Sequence, residues 1–110
     1  MKILDIDNLE PPNGKVKTFQ GIEHGANASF FIVRFQTGEG PRKHRHPYEE
    51  TFIILEGEIE VFVGQEAFRV DSGKIAIIPE GIWHTFTVRS ETPALMVNIH
   101  PVPKMLTEWA

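Results

Sequence analysis

Apolar residues recur along this chain in short runs with a period of two, not in long stretches with a period near 3.6. EIEVFV, residues 58–63, is the plainest case. Ile59, Val61 and Val63 share one side while Glu58 and Glu60 share the other, which describes a strand with one wet face. Runs of this kind predict strands at about 15–20, 28–36, 50–56, 58–63, 67–71, 75–78, 83–89 and 94–100. Turn-forming residues separate them: Gly38 to Pro41, Gly57, Gly64-Gln65, Ser72-Gly73, Pro79 to Gly81, and Ser90 to Pro93. Such regular alternation of strand and breaker predicts an all-β sandwich or barrel. Gly57, between TFIILE and EIEVFV, predicts a tight hairpin with a positive φ at the glycine. The first residues and the last six each have room for a short helical turn.

One strand breaks the pattern. Residues 28–36 are apolar at both parities, with Phe30 and Ile32 on one face and Phe31, Val33 and Phe35 on the other. Such a strand needs cover on both sides. A second copy of the chain, making a homodimer, supplies the outer cover; the alternative is the chain's own N-terminal segment.

Size and composition narrow the field. A chain of 110 residues and 12.5 kDa fits one domain, 1–110. A formal charge of −4 argues against non-specific binding to nucleic acid. No run approaches the roughly 20 apolar residues of a membrane span, and Asp5 and Asp7 interrupt any signal-like run near the start. The expected location is the cytoplasm, with no membrane partner. No Gly-rich phosphate loop and no nucleophile-elbow motif occurs. The absence of cysteine removes disulfides, thiolate zinc sites, iron–sulfur clusters and thiol catalysis together. Any bound metal must be held by His, Asp or Glu.

The five histidines then become the informative residues. His44 and His46 are two apart and Glu50 follows four later, so an extended chain projects all three from one face, continued inward by Phe52 and Ile54. His84 shares parity with Phe86 and Val88, which places it on a buried strand face. Three imidazoles and one carboxylate suit Fe, Mn, Ni, Zn, Co or Cu, and leave positions open on the ion. The competing reading is a solvated basic strip over residues 42–46. Parity disfavours a uniform strip, because Lys43 and Arg45 point opposite to His44 and His46. Glu49 has the wrong parity to join them.

The spacing around these residues resembles the cupin family. Gly38, His44, His46, Glu50 and Gly57 fill the first cupin motif, G-x5-H-x-H-x3-E-x6-G. Gly73, Pro79, Gly81 and His84 fill the second, G-x5-P-x-G-x2-H-x3-N, except that Val88 replaces the final Asn. The fifteen residues between the motifs match small microbial cupins. The resemblance implies a jelly-roll barrel, or double-stranded β-helix, with one divalent metal held inside by His44, His46, Glu50 and His84. It also implies a small-molecule substrate or ligand, with dioxygenase, oxalate-active and isomerase chemistry all represented.

Arg42 and Tyr48 share the parity of the histidines and are candidate substrate contacts: Arg42 as a bidentate partner for an anionic group, Tyr48 as a hydrogen-bond donor near the metal. His100, followed by Pro101, reads as a surface or dimer-interface residue. His24 reads as solvated, and Trp109 as docked on the barrel or on a partner. Two functions follow. One is a metalloenzyme acting on a small chelating organic substrate by oxygenase-type or isomerase-type chemistry. The other is a non-catalytic barrel that binds or senses a small ligand. The sequence places no strong general base beside the proposed metal, so catalysis itself stays open.

Overall fold

The computed structural model describes residues 1–110. Ten strands follow one another in the chain: β1 (Val16–Phe19), β2 (Ser29–Phe35), β3 (His44–Arg45), β4 (Glu50–Glu56), β5 (Glu58–Val63), β6 (Glu66–Asp71), β7 (Ile75–Ile78), β8 (His84–Val88), β9 (Ala94–His100) and β10 (Glu108–Trp109). They form two five-stranded antiparallel sheets. The first has the order β1-β2-β9-β4-β7 and the second β10-β3-β8-β5-β6. The eight strands expected from periodicity are all present. No helix is long and apolar enough to cross a membrane.

The core lies between the sheets. Phe52 and Ile54 of β4, Met96 of β9, Ile59 and Val61 of β5, and Phe86 and Val88 of β8 are buried there. Each takes its place through period-two alternation, which sends every second side chain inward. Truncating Phe52 to Ala would cost about 3–5 kcal/mol through lost burial and the cavity left behind. Val88, which replaces the expected Asn of the second motif, is fully buried in this core.

Two expectations are corrected. β4 and β5 do not form a hairpin: β4 pairs with β9 and β7, whereas β5 pairs with β6 and β8. Gly57 is instead the corner at which the chain crosses between sheets. Its φ is +81°, and a Cβ there would lie 2.8 Å from both Ala94 Cα and Ser90 Oγ. Periodicity specifies a turn at that point but not which strand the next one pairs with. The last residues likewise form a strand, not a helical turn. β10 pairs with β3, Glu108 opposite Arg45 and Trp109 opposite His44. Near the start, a single 3-10 turn spans Ile6–Asn8.

β2 has the two-sided character expected of it. Val33 is buried, and Phe31 and Phe35 pack against the core. Phe30 and Ile32 face outward beside Ile99 and Val97 of β9, and are half-buried. Ile6 shares a shallow crevice with Ile32 and Leu95, so the N-terminal segment covers part of this face. Elsewhere on this sheet Leu55, Ile75 and Ile77 are 52%, 66% and 66% exposed.

Candidate metal centre

The histidine segment is held against the second sheet by its ends. Gly40 passes so close to β8 that a Cβ there would overlap the Phe86 carbonyl. Beyond it, His44 of β3 lies directly opposite His84, the first residue of β8. The Gly81 amide donates to the His46 carbonyl at 2.9 Å and ties the turn before β8 to the same segment. Glu50 opens β4 in the first sheet. The four side chains therefore come from both sheets and meet between them. Their exposures run from 2 to 8%, and one candidate ligand atom from each lies within 4.8 Å of the others. Glu49 is exposed, as its parity requires.

The hydrogen bonds around the rings determine their protonation. His44 Nδ1 lies 2.7 Å from the Arg42 carbonyl, His46 Nδ1 2.8 Å from the Leu106 carbonyl, and His84 Nδ1 2.9 Å from the Ile82 carbonyl. A carbonyl oxygen can only accept, so each Nδ1 carries the proton and donates it. In the neutral ring each Nε2 then presents a lone pair. His46 Nε2 and His84 Nε2 are both 3.1 Å from Glu50 Oε1. His46 Nε2 has no hydrogen-bond partner despite that proximity. Three lone pairs and a carboxylate oxygen thus converge in a buried space. Such an arrangement is unfavourable unless a cation, as protons or as a metal ion, lies among them. The donor set fits a divalent transition metal, and the carbonyls behind the imidazoles are the outer partners such sites use to fix ring orientation.

The ionisation tendencies agree with this. Burial pushes the His44 imidazole down, outweighing the Arg42 carbonyl that raises it. Burial also acts downward on His46, but Glu50 and the Leu106 carbonyl outweigh it and the net direction is up. Burial works to raise Glu50, yet His100, His46 and His84 together hold it well below the ordinary carboxylate range.

His100 is not a surface residue. It is 0% exposed, with Nε2 2.9 Å from Glu50 Oε2 and Nδ1 2.6 Å from the Tyr48 hydroxyl. The expectation gave too much weight to Pro101. The burial of β9 alternates strictly, and the parity of Met96 already points Asn98 and His100 inward. Tyr48 is buried and its hydroxyl also accepts from the Leu106 amide at 3.0 Å, so it is engaged with His100 and the C-terminal segment. Arg42 is exposed, with its guanidinium 5.2 Å from the Trp109 ring. Trp109 docks with its ring 5.2 Å from that of His44. His24 is only partly exposed and stacks on Phe19 at 4.6 Å.

A cavity of about 390 Å³ opens beside the cluster. His44, His46 and Glu50 line one part of it, while Phe31, Phe35, Phe52, Phe86 and Trp109 form much of the remainder. Asn98 also faces it, and nothing in the sequence reading singled that residue out.

A family model described as Cupin domain matches residues 31–100, more than half of the chain. The chain belongs to the cupin family. An uncharacterized protein of Aquifex aeolicus is 30% identical over 103 residues, covering 91% of this chain and 84% of that protein. Polyketide synthase CurC of Streptomyces cyaneus is 28% identical over 108 residues, covering 92% of this cupin and 70% of the relative. Among solved structures, the oxalate decarboxylase formate complex of Lactobacillus farciminis superposes with a TM-score of 0.84 at 20% identity, over 96% of this cupin and 35% of the decarboxylase chain. That likeness concerns the fold.

Proposed function

We propose that this cupin is a metalloenzyme acting on a small chelating organic substrate. In this reading Nε2 of His44, His46 and His84, with Glu50 Oε1, holds one divalent transition metal drawn from Fe, Mn, Ni, Zn, Co and Cu. The observation that carries it is the convergence of three carbonyl-pinned imidazoles on one buried carboxylate at the wall of a 390 Å³ cavity. A metal bound there would supply Lewis acidity and, if redox-active, oxygen chemistry. The chain's own residues prepare the site. The carbonyls of Arg42, Leu106 and Ile82 orient the imidazoles, and His100 occupies Glu50 Oε2 so that Oε1 stays turned to the cluster. The aromatic walls make the space beside it largely apolar. The names of the relatives, a polyketide synthase and an oxalate decarboxylase, are consistent with small organic substrates and do not choose between reaction types.

The test is elemental analysis of protein purified without affinity-resin metals, followed by oxygen-uptake and isomerisation screens with chelating substrates. About one metal per chain and turnover are expected. Protein that takes up no transition metal on reconstitution, with no change in Tm, would overturn the reading.

A second reading, a non-catalytic ligand-binding or sensing barrel, is favoured by one feature. Every titratable side chain lining the cavity belongs to the proposed ligand set, leaving no separate acid or base. Metal-dependent binding without turnover across the same screens would select it.

We also infer that two copies associate through the outer face of the first sheet. The support is the exposure of Leu55, Ile75 and Ile77 on that sheet and the half-buried Phe30 and Ile32. A monomer mass in light scattering at micromolar concentration would exclude this.

A further inference from the structure

The cavity beside the histidine cluster is chemically one-sided. Beyond the His44, His46 and Glu50 end, its walls are mostly apolar, with Phe31, Phe35, Phe52, Phe86 and Trp109 the largest side chains. The rings of Phe52 and Phe86 meet edge to face at 5.4 Å, and Phe35 lies 6.0 Å from Phe86, so both ring faces and ring edges border the space. No Lys or Arg side chain lines it. The nearby guanidinium, that of Arg42, is engaged with Trp109. Apart from the ion itself, nothing lining the cavity would balance the charge of a dianion such as oxalate, and such a small anion gains little contact with the phenyl walls.

Asn98 stands in this apolar wall. It is 5% exposed, it lies in register with Phe31 and Phe52, and its Oδ1 has no hydrogen-bond partner. An unpaired carboxamide oxygen in a core position is costly, and an aliphatic residue would fill the same place without that cost. A hydroxyl both donates and accepts, so it satisfies the carboxamide in either orientation.

Resting on the reading that the cluster holds a metal, we propose that the cavity takes a neutral, flat aromatic molecule with neighbouring oxygens. One oxygen is directed to the histidine end, and a hydroxyl is bound by Asn98. Small dicarboxylates gain little from the same walls and bind more weakly. The aromatic residues supply contact area, the absence of Lys and Arg leaves extra negative charge unbalanced, and Asn98 sets the orientation.

The test is calorimetric titration of the full chain loaded with Zn2+, which leaves the probe unoxidised. The probes are 2,3-dihydroxynaphthalene, its monomethyl ether and oxalate. The diol is expected to bind at least tenfold more tightly than oxalate. Asn98→Leu is expected to weaken the diol about tenfold, the loss of one hydrogen bond to a buried partner. The same variant should keep its zinc stoichiometry and keep or raise the Tm of the unliganded protein. The monomethyl ether should lose affinity in the parent and nothing further in Asn98→Leu. Oxalate binding as tightly as the diol, or undiminished diol binding in Asn98→Leu, would overturn the proposal. So would a lower Tm with loss of zinc in that variant, which would assign Asn98 to the fold. If the parent binds no zinc, the metal reading fails separately. In that case an Asn98-dependent preference for the diol in zinc-free protein still upholds the ligand class, and its absence removes both.

Discussion

On the second sheet, His44 and His84 each commit Nδ1 to a backbone carbonyl and keep Nε2 for the cluster. On the first sheet, His100 commits both nitrogens, Nε2 to Glu50 and Nδ1 to Tyr48. All three rings are buried. What separates them is the partner behind the ring. A carbonyl takes a proton from one side and leaves a lone pair on the other, whereas a carboxylate and a phenol together leave none. The second sheet thus offers electron pairs to an ion. The first offers the carboxylate, the group that steadies it and most of the aromatic wall.

The contrast breaks most completely if His84 is removed. His84→Ala should reduce metal content from about one per chain to background by elemental analysis, and Glu50→Ala should do the same. Acidification should act nearly as strongly, but reversibly. His44 is shifted down by burial, so its unfolded form protonates first. Its contribution to stability is intact above about pH 6.5 and falls as pH drops below it. His46 is shifted up; its contribution is full below about 6.5 and is lost as pH rises through its higher folded value. Glu50 is shifted well down. Its contribution is present above about 4.3 and is lost only as pH falls through a value well below that. Glu50 therefore stays ionised while His44 and His46 titrate. Metal release, followed by a chromogenic chelator, should be complete on acidification while the β-sheet circular dichroism is retained, and the metal should rebind on neutralisation. Loss of the circular dichroism before or together with the metal would contradict the assignment.

His100→Ala sharpens the comparison from the other side. It should weaken metal binding by about 10–100-fold without abolishing it, as loss of an outer partner does. A loss as complete as that of His84→Ala would mean that the two sheets do not differ in the way described. The smallest effect belongs to Glu49→Ala. It should leave metal content unchanged and stability within about 0.5 kcal/mol, since the side chain points to solvent. Equal metal loss at positions 49 and 50 would remove the parity argument altogether.

Much of the site was legible because parity is a local property. His44, His46, Tyr48 and Glu50 have even numbers, and all four are buried while Glu49 is not, although the chain bends at Pro47 and Tyr48. The same rule applied to ALMVNIH would have turned Asn98 and His100 inward, and reading Pro101 as a surface signal obscured it. Period two did not reveal β3 and β10 as strands, because each is two residues long. Gly57 was legible as a turn but not as a crossing between sheets, because both outcomes need the same positive φ.

The sequence by itself determined the faces of the longer strands, the absence of thiol chemistry and the set of residues able to meet a metal. Each follows from residue type and from the alternation that backbone sterics impose over a few positions. Tertiary structure decided which strands share a sheet, that Leu106 lies behind His46, that His100 reaches Glu50, and that Asn98 is left without a partner in an aromatic wall. These contacts join residues about 50 or more positions apart or depend on several strands at once. Their formation rests on how the two sheets pack, which no local period encodes.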